Sequence, residues 1–288
     1  MDFVDRWLEG HPELAPHLML VGRTGSGKTT AARTLLMRAL RDYLVDVVVL
    51  DWDGEYTELP LPIYAPPFEV RVLPPLVADA LAEVERAEEG GHMVAAHLRK
   101  ALANAPLEKA IEHLRREVMF AASYALRGAL EAAEARLETI LRYTKFVPLD
   151  AEPGAGLQEG VYLLAEIPSI WERAAMQQFL AMFHTLARRS PVPSLLVVEE
   201  GGMGARNTYL RHLLALARRR GVRIIFITQG PLPPPELRQS FEIILFDSDP
   251  ELRRQLRAAI PDGDLKPGEC WHVRRDGTAK KLRFKLPR

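Results

Sequence analysis

The chain is predicted to fold as an α/β domain whose mostly parallel sheet is flanked by helices and interrupted by an all-α insertion. Three observations predict it. Apolar, β-branched runs alternate with helical stretches, a glycine-rich turn sits between the first run and the first long helix, and a long helical region occupies the middle of the sequence. At 288 residues, with 48% hydrophobic and 26% charged side chains, the chain can bury a sizeable core and matches neither disordered nor fibrous composition.

The elements follow in order. HLMLV, residues 17–21, reads as the first strand, and after the glycine turn TTAARTLLMRALRDYL reads as a helix. VDVVVLD, residues 45–51, is nearly continuous in apolar residues, as expected for a strand covered on both faces. Between residues 60 and 75 recurring prolines are expected to interrupt regular structure. Residues 77–143 carry apolar side chains at helical spacing, among them Ile111, Leu114, Val118, Leu126, Leu130, Leu137, Ile140 and Leu141. This predicts three or four helices, broken near Gly90-Gly91 and Pro106. After the loop AEPGAGLQEG the alternation resumes with VYLLAEI, the helix WERAAMQQFLAMFHTLARR, SLLVVEE, a helix over 208–220, and VRIIFITQ. EIILFD follows, then a helix from SDPELRRQLRAA capped by Ser248 or Asp249 ahead of Pro250. ECWHVRR and KKLRFKL, separated by Asp276-Gly277, should close the sheet edge as a hairpin. The expected division is a first part of one domain over 1–76, a helical insertion over 77–146 and the second part over 147–288.

Composition excludes several chemistries. Lysine plus arginine and aspartate plus glutamate each number 38, so net charge does not announce nucleic acid and any such contact must be local. Cys270 alone cannot form an internal disulfide or a multi-cysteine zinc site and reads as a small packed residue in a late strand. His92, His97 and His113 lie in the helical region without a matching carboxylate pattern, so no metal site is expected there. Met176, Met182 and Phe183 read as core. No run reaches the roughly 18–20 apolar residues of a membrane-spanning helix, and the expectation is a cytoplasmic protein.

Residues 22–29, GRTGSGKT, satisfy G-x-x-x-x-G-K-[ST] between a strand and a helix, the context that motif needs. Gly22, Gly25 and Gly27 let the backbone turn tightly and aim its N–H groups inward, with Ser26 in the same loop, and the helix N-terminus adds partial positive charge. That concavity fits the polyphosphate of ATP. Lys28 reaches the β- and γ-phosphates and the Thr29 hydroxyl is a magnesium ligand. Thr30 closes the phosphate-binding set and begins helix packing. SLLVVEEGG supplies the acidic strand end that this class requires: Glu199 is placed on magnesium through water and Glu200 as the base that polarises the attacking water. Gln229, at the end of VRIIFITQ, is placed to hydrogen-bond that water or the γ-phosphate. The runs Arg218-Arg219-Arg220 and Arg253-Arg254 read by themselves as solvated helix faces.

Taken together, GRTGSGKT, VVVLDWDGEY, VVEE, ARRRGVRIIFITQ and LKPGECWHV resemble the HerA/FtsK superfamily of hexameric DNA-pumping ATPases, closest to the HerA branch. The similarity covers most of residues 17–286. Asp51, Gly54, Glu55 and Tyr56 match the Asp and Gly-Glu-Tyr of that branch, and Glu199 and Glu200 match its paired glutamates. The resemblance implies a P-loop NTPase of RecA-like fold that uses ATP and Mg2+ and forms a homo-oligomer, a hexamer by analogy. It also implies double-stranded DNA as the translocated partner, with a nuclease, capsid or conjugation protein beside it. Arg218 matches the arginine that reaches the neighbouring subunit's ATP, with Arg219 in reserve. Residues 1–16 stand where HerA-like proteins usually carry an N-terminal β-barrel, Gly201-Gly202 replace the common Ala-His, and Gly230 replaces the arginine after Thr-Gln. A stripped motor of this kind also resembles packaging ATPases of tailless viruses, which would make its setting viral, and soluble ATPases of conjugation machines. The alternative within the class is a ring ATPase that powers protein secretion or assembly without DNA.

Overall fold

The structure, a computed structural model, describes residues 2–72, 74–86, 91–104, 107–148, 156–199, 207–230, 232–246, 250–256, 260, 265, 266, 268–274 and 276–284. The chain opens with a short helix, α1 (Phe3–Glu9), that the sequence reading does not contain. Two turns are too short to show a period, and the helix is held by its ends instead. Asp2 accepts from the Asp5 N–H at 3.0 Å while the Asp5 carboxylate accepts from the Asp2 N–H, a reciprocal cap. Gly10 ends the helix in the left-handed region at φ 74°.

The strand, turn, helix, strand unit follows as β1 (His17–Val21), α2 (Lys28–Asp42) and β2 (Asp46–Asp51). The proline-rich stretch is then more regular than expected, because it contains β3 (Ile63–Tyr64) and β4 (Phe68–Val72). FEVRV alternates buried and exposed side chains along β4, and its prolines lie outside the strand, where they remove no ladder bond. The helical region comprises α3 (Pro74–Arg86), α4 (Gly91–Asn104), α5 (Leu107–Met119) and α6 (Tyr124–Tyr143). Of the breaks expected near Gly90-Gly91 and Pro106, Gly91 begins α4, and Gly90 and Pro106 lie outside the described residues. A third unforeseen strand, β5 (Thr144–Pro148), pairs in parallel with β4 as a separate two-stranded sheet.

The remaining elements are β6 (Gly160–Leu163), a 3-10 turn at Leu164–Glu166, α7 (Ile170–Ala187), β7 (Ser194–Val198), α8 (Asn207–Arg219), β8 (Val222–Thr228) and α9 (Pro235–Arg238). Then come β9 (Phe241–Leu245), α10 (Pro250–Leu256), β10 (Glu269–Val273) and β11 (Ala279–Arg283). Ser248 and Asp249, the expected cap of α10, lie outside the described residues. One nine-stranded sheet runs β11-β10-β9-β1-β8-β7-β2-β6-β3. From β9 to β3 every neighbouring pair is parallel, and β10 and β11 add the expected antiparallel hairpin at one edge.

Side-chain alternation divides the core into two layers. Leu18, Leu20, Val47, Val49, Leu195 and Val197 face α1 and α2 in one buried cluster. Met19, Val21, Val48, Leu50, Leu196 and Val198 face the other way, in one cluster with α7, α8 and the four-helix region. Met176, Met182 and Phe183 are wholly buried there. Cys270 is also buried, and burial pushes its thiol up to about 12, so it packs as a small apolar group and carries no thiolate at neutral pH.

The parallel register fixes where chemistry can happen. Val21 pairs with Thr228 and Leu50 with Val198, so the loops that leave β1, β2, β7 and β8 open from the same, C-terminal edge of the sheet.

Candidate nucleotide site

The loop after β1 turns on two left-handed glycines, Gly25 at φ 77° and Gly27 at φ 97°. A Cβ built at either would meet nothing within 4 Å, so glycine is required there by conformation. Gly22 is required by space: a Cβ would stand 2.7 Å from Ser26 Oγ and 3.1 Å from Phe246 Cβ. Gly27 caps α2 without any side-chain bond, and the first turn holds no acidic residue, so its N–H groups and positive dipole end are left for an anion from outside the helix. Lys28 is buried in this turn and its ammonium donates to the Arg23 carbonyl at 2.9 Å, across the mouth of the loop. Ser26 Oγ is buried and makes no hydrogen bond among the described residues. Thr30 points outward from the first turn, and its carbonyl accepts from the Thr34 hydroxyl at 2.8 Å.

Glu199, one residue beyond β7, comes to this loop from the side. Its Oε1 lies 3.5 Å from Thr29 Oγ1 and 3.4 Å from the Tyr56 hydroxyl. Its Oε2 is buried with no hydrogen-bond partner among the described residues. Burial is the main reason the Glu199 carboxyl is pushed up to about 8, and the negative charges of Asp51, Glu55 and Asp53 add to it, while the Trp52 N–H opposes it. A divalent cation fits this arrangement, since it supplies the charge that the buried carboxylate lacks and a partner for the idle oxygen beside a threonine hydroxyl.

The loop after β2 is shaped by Asp51. Its Oδ1 accepts from the N–H groups of Gly54 at 2.8 Å and Glu55 at 3.0 Å, and its Oδ2 from Tyr56 at 3.0 Å. Burial raises the Asp51 carboxyl above the ordinary range, and these backbone bonds pull the other way. The loop is thereby folded around one carboxylate, with Tyr56 wholly buried and aimed at Glu199. The spacing Asp51 to Gly54-Glu55-Tyr56 is the sequence signal of this turn.

Gln229 leaves β8 at the same edge and accepts from Thr24 Oγ1 at 2.7 Å, which joins it to the glycine loop. Glu200 lies outside the described residues. Arg218 is brought elsewhere: it is exposed in the last turn of α8, and its charge acts on His17 at the opposite end of β1. His17 is held down to about 4, chiefly by burial, with Arg218 and Arg223 adding to the effect. The five-residue length of β1, about 16 Å, therefore separates Arg218 from the glycine loop of its own chain.

Two residues at this site escape sequence reading. Gln177 on α7 donates to the Glu199 carbonyl, and Arg173, one turn earlier, bonds the carbonyls of Trp52, Ala165 and Ile167. Both sit in a stretch that reads only as a helix, and long-range bonds to backbone carbonyls leave no local signal.

Comparison with known proteins gives the family and the fold. The family described as helicase HerA, central domain, matches residues 12–160, just over half of the 288. Comparison with curated proteins gives no match. Among solved structures the chain is similar to VirB4 of Thermoanaerobacter pseudethanolicus, with TM-score 0.62 at 14% identity over 98% of this chain and 92% of that one. It is similar to the bacterial conjugative coupling protein TrwB lacking its N-terminal 70 residues, with TM-score 0.61 at 14% identity over 96% and 86%. The plasmid coupling protein TrwB in complex with ADP and Mg2+ aligns at TM-score 0.55 and 16% identity over 93% and 77%. With the fold, the glycine loop and half its length so matched, the chain belongs to the helicase HerA central-domain family of P-loop ATPases.

Proposed function

We propose that this chain is the motor of ATP-driven movement along double-stranded DNA and works as a ring of identical subunits. The observation that carries the reading is the meeting of Thr29 and Glu199 at 3.5 Å beside a glycine loop that leads into the α2 N-terminus, which no side chain caps, within a family of DNA-handling ATPases. The N–H groups of residues 25–29 and the Lys28 ammonium hold the β- and γ-phosphates. Thr29 and Glu199 hold Mg2+, which supplies charge neutralisation for the phosphates when bound. Glu200 takes the proton of the attacking water and Gln229, anchored to Thr24, orients that water or the γ-phosphate. Arg218 faces away from its own glycine loop and stabilises the transition state of the adjacent subunit. DNA repair, conjugative transfer and viral genome packaging are the settings this reading offers, with the TrwB likeness supporting transfer.

The test is the ATPase rate with and without linear duplex DNA over a salt series. Stimulation that fades steeply as salt rises is expected, because phosphate neutralisation makes affinity fall with salt. An equal rate with and without duplex at low salt would remove DNA from the proposal and favour a protein-moving motor, which the zero net charge also suits.

A further inference from the structure

We infer that Arg173 and Gln177, successive on one face of α7, are positioning residues that set Glu199 for its metal. The inference rests on the reading of Glu199 as the magnesium carboxylate and adds two residues that do not touch nucleotide or ion. Gln177 is buried and its Nε2 donates to the main-chain carbonyl of Glu199, which fixes the strand end from which the carboxylate departs. Arg173 works on the opposite flank. Its Nη1 donates to the Trp52 carbonyl at 3.1 Å, its Nη2 to Ile167 at 2.9 Å and Ala165 at 3.2 Å, and its Nε to Ile167 at 3.2 Å. The guanidinium also lies 5.2 Å over the Trp52 ring. Trp52 in turn follows Asp51 directly and opens the turn that aims the Tyr56 hydroxyl at the Glu199 carboxylate.

The chemistry of these contacts is specific to the two side chains. A planar guanidinium reaches three carbonyls of two loops at once, the one after β2 and the one after β6, whereas an ammonium at the same place is a single point donor. Spacing of four residues puts both groups on one side of the helix, so a single rigid rod sets the two flanks of the carboxylate together. The first turn of that rod is itself fixed: Glu172 accepts from the Tyr143 hydroxyl at 2.8 Å and from Arg142, both at the end of α6. Supporting groups of this kind change metal affinity about 10–100-fold when removed.

The experiment is calorimetric binding of ADP in excess EDTA and in Mg2+, with the ratio of the two affinities as readout, beside single-turnover ATP hydrolysis. Arg173→Lys and Gln177→Asn are compared with wild type, and folding is followed by thermal melts. The expected result is ADP affinity in EDTA within twofold of wild type, an affinity gain on adding Mg2+ about tenfold smaller, and hydrolysis that recovers at high Mg2+. An unchanged Mg2+ gain in folded variants overturns the inference. So does an equal loss of ADP affinity with and without Mg2+, or failure of both variants to fold, since a merely structural role predicts these outcomes. If wild type itself gains nothing from Mg2+ in either readout, the assignment of Glu199 fails and the positioning claim falls with it, a result distinct from the others.

Discussion

A carboxyl group that burial first, and neighbouring Asp51, Glu55 and Asp53 second, push up to about 8 keeps its proton through most of the neutral range. An unfolded glutamate ionises near 4.5, so the folded chain holds an extra proton between those values. The stability linked to Glu199 is therefore complete below about 4.5 and is lost as pH rises through about 8. In nucleotide-free protein with EDTA, the stability of Glu199→Gln relative to wild type should rise by about 1–3 kcal/mol between pH 5 and pH 9, measured by urea unfolding. A difference that stays flat with pH would show that the carboxylate is ionised throughout. Lys28→Ala should abolish nucleotide binding with an unchanged melting curve, since the phosphates need that ammonium and the fold does not. Glu200→Gln should retain ATP and slow turnover by about a hundredfold or more, read in single-turnover assays. If Glu199→Gln instead retains magnesium affinity and alone stops the chemistry, the two glutamates have exchanged roles. GRTGSGKT and VVEE made these residues visible in the sequence because the chemistry demands fixed types at fixed spacing. Arg173 and Gln177 left no trace there, for their partners are main-chain carbonyls that any residue can present.

Strands that cross the middle of the sheet were legible because both their faces are buried, which leaves continuous apolar runs such as VDVVVLD and IIFIT. β4 and β5 were not, because they lie in a separate two-stranded sheet and find each other across the whole helical region. α1 depends on contacts equally remote in sequence. Arg223 of β8 donates to the Trp7 and Leu8 carbonyls and lies 5.8 Å over the Trp7 ring. Gly10 makes room for that guanidinium, since a Cβ there would lie 2.4 Å from Arg223 Nη2. Gly10→Ala should therefore lower stability by about 1–2 kcal/mol, from the left-handed backbone and the displaced arginine together. Chemical denaturation measures it, and a loss below a few tenths would mean that α1 is not anchored at this point. The helical region shows the limit of periodicity in another way. Glu117 stands 3.4 Å from His113, one turn away on α5, and also meets His97 at 3.4 Å and pairs with Lys100, both on α4, contacts that linear spacing hid. Among the described residues no group of histidine, cysteine or carboxylate side chains is arranged to hold a metal ion.

For the molecule as a whole, the separation of Arg218 from its own glycine loop makes assembly part of the catalytic proposal. Lys28→Ala and Arg218→Ala, each inactive alone, should regain partial ATPase activity when mixed, because some interfaces then join an intact loop to an intact arginine. A finger of this type contributes roughly 10³–10⁵ in rate, so recovery should stand well above background. Wild-type rates from Arg218→Ala, or full activity from a monomer at any dilution, would remove this arginine from the mechanism. No described helix is long and apolar enough to cross a membrane. The pairing of β4 with β5 carries a further consequence for how such a chain can be altered. Phe68 and Thr144 are direct neighbours in register, so everything from residue 68 to residue 143 leaves and returns within one strand spacing, about 4.8 Å. Cut there, the trunk could be rejoined almost without a linker, and the segment is a natural unit of splicing. Yet Leu81, Leu98, Leu114 and Leu137 share one buried cluster with Phe179 and Phe183 of α7, and excision would bare that apolar flank to water. A boundary that is easy for recombination to cross is thus costly for folding to lose, and grafts at this junction should succeed only when they bring their own apolar cover for α7.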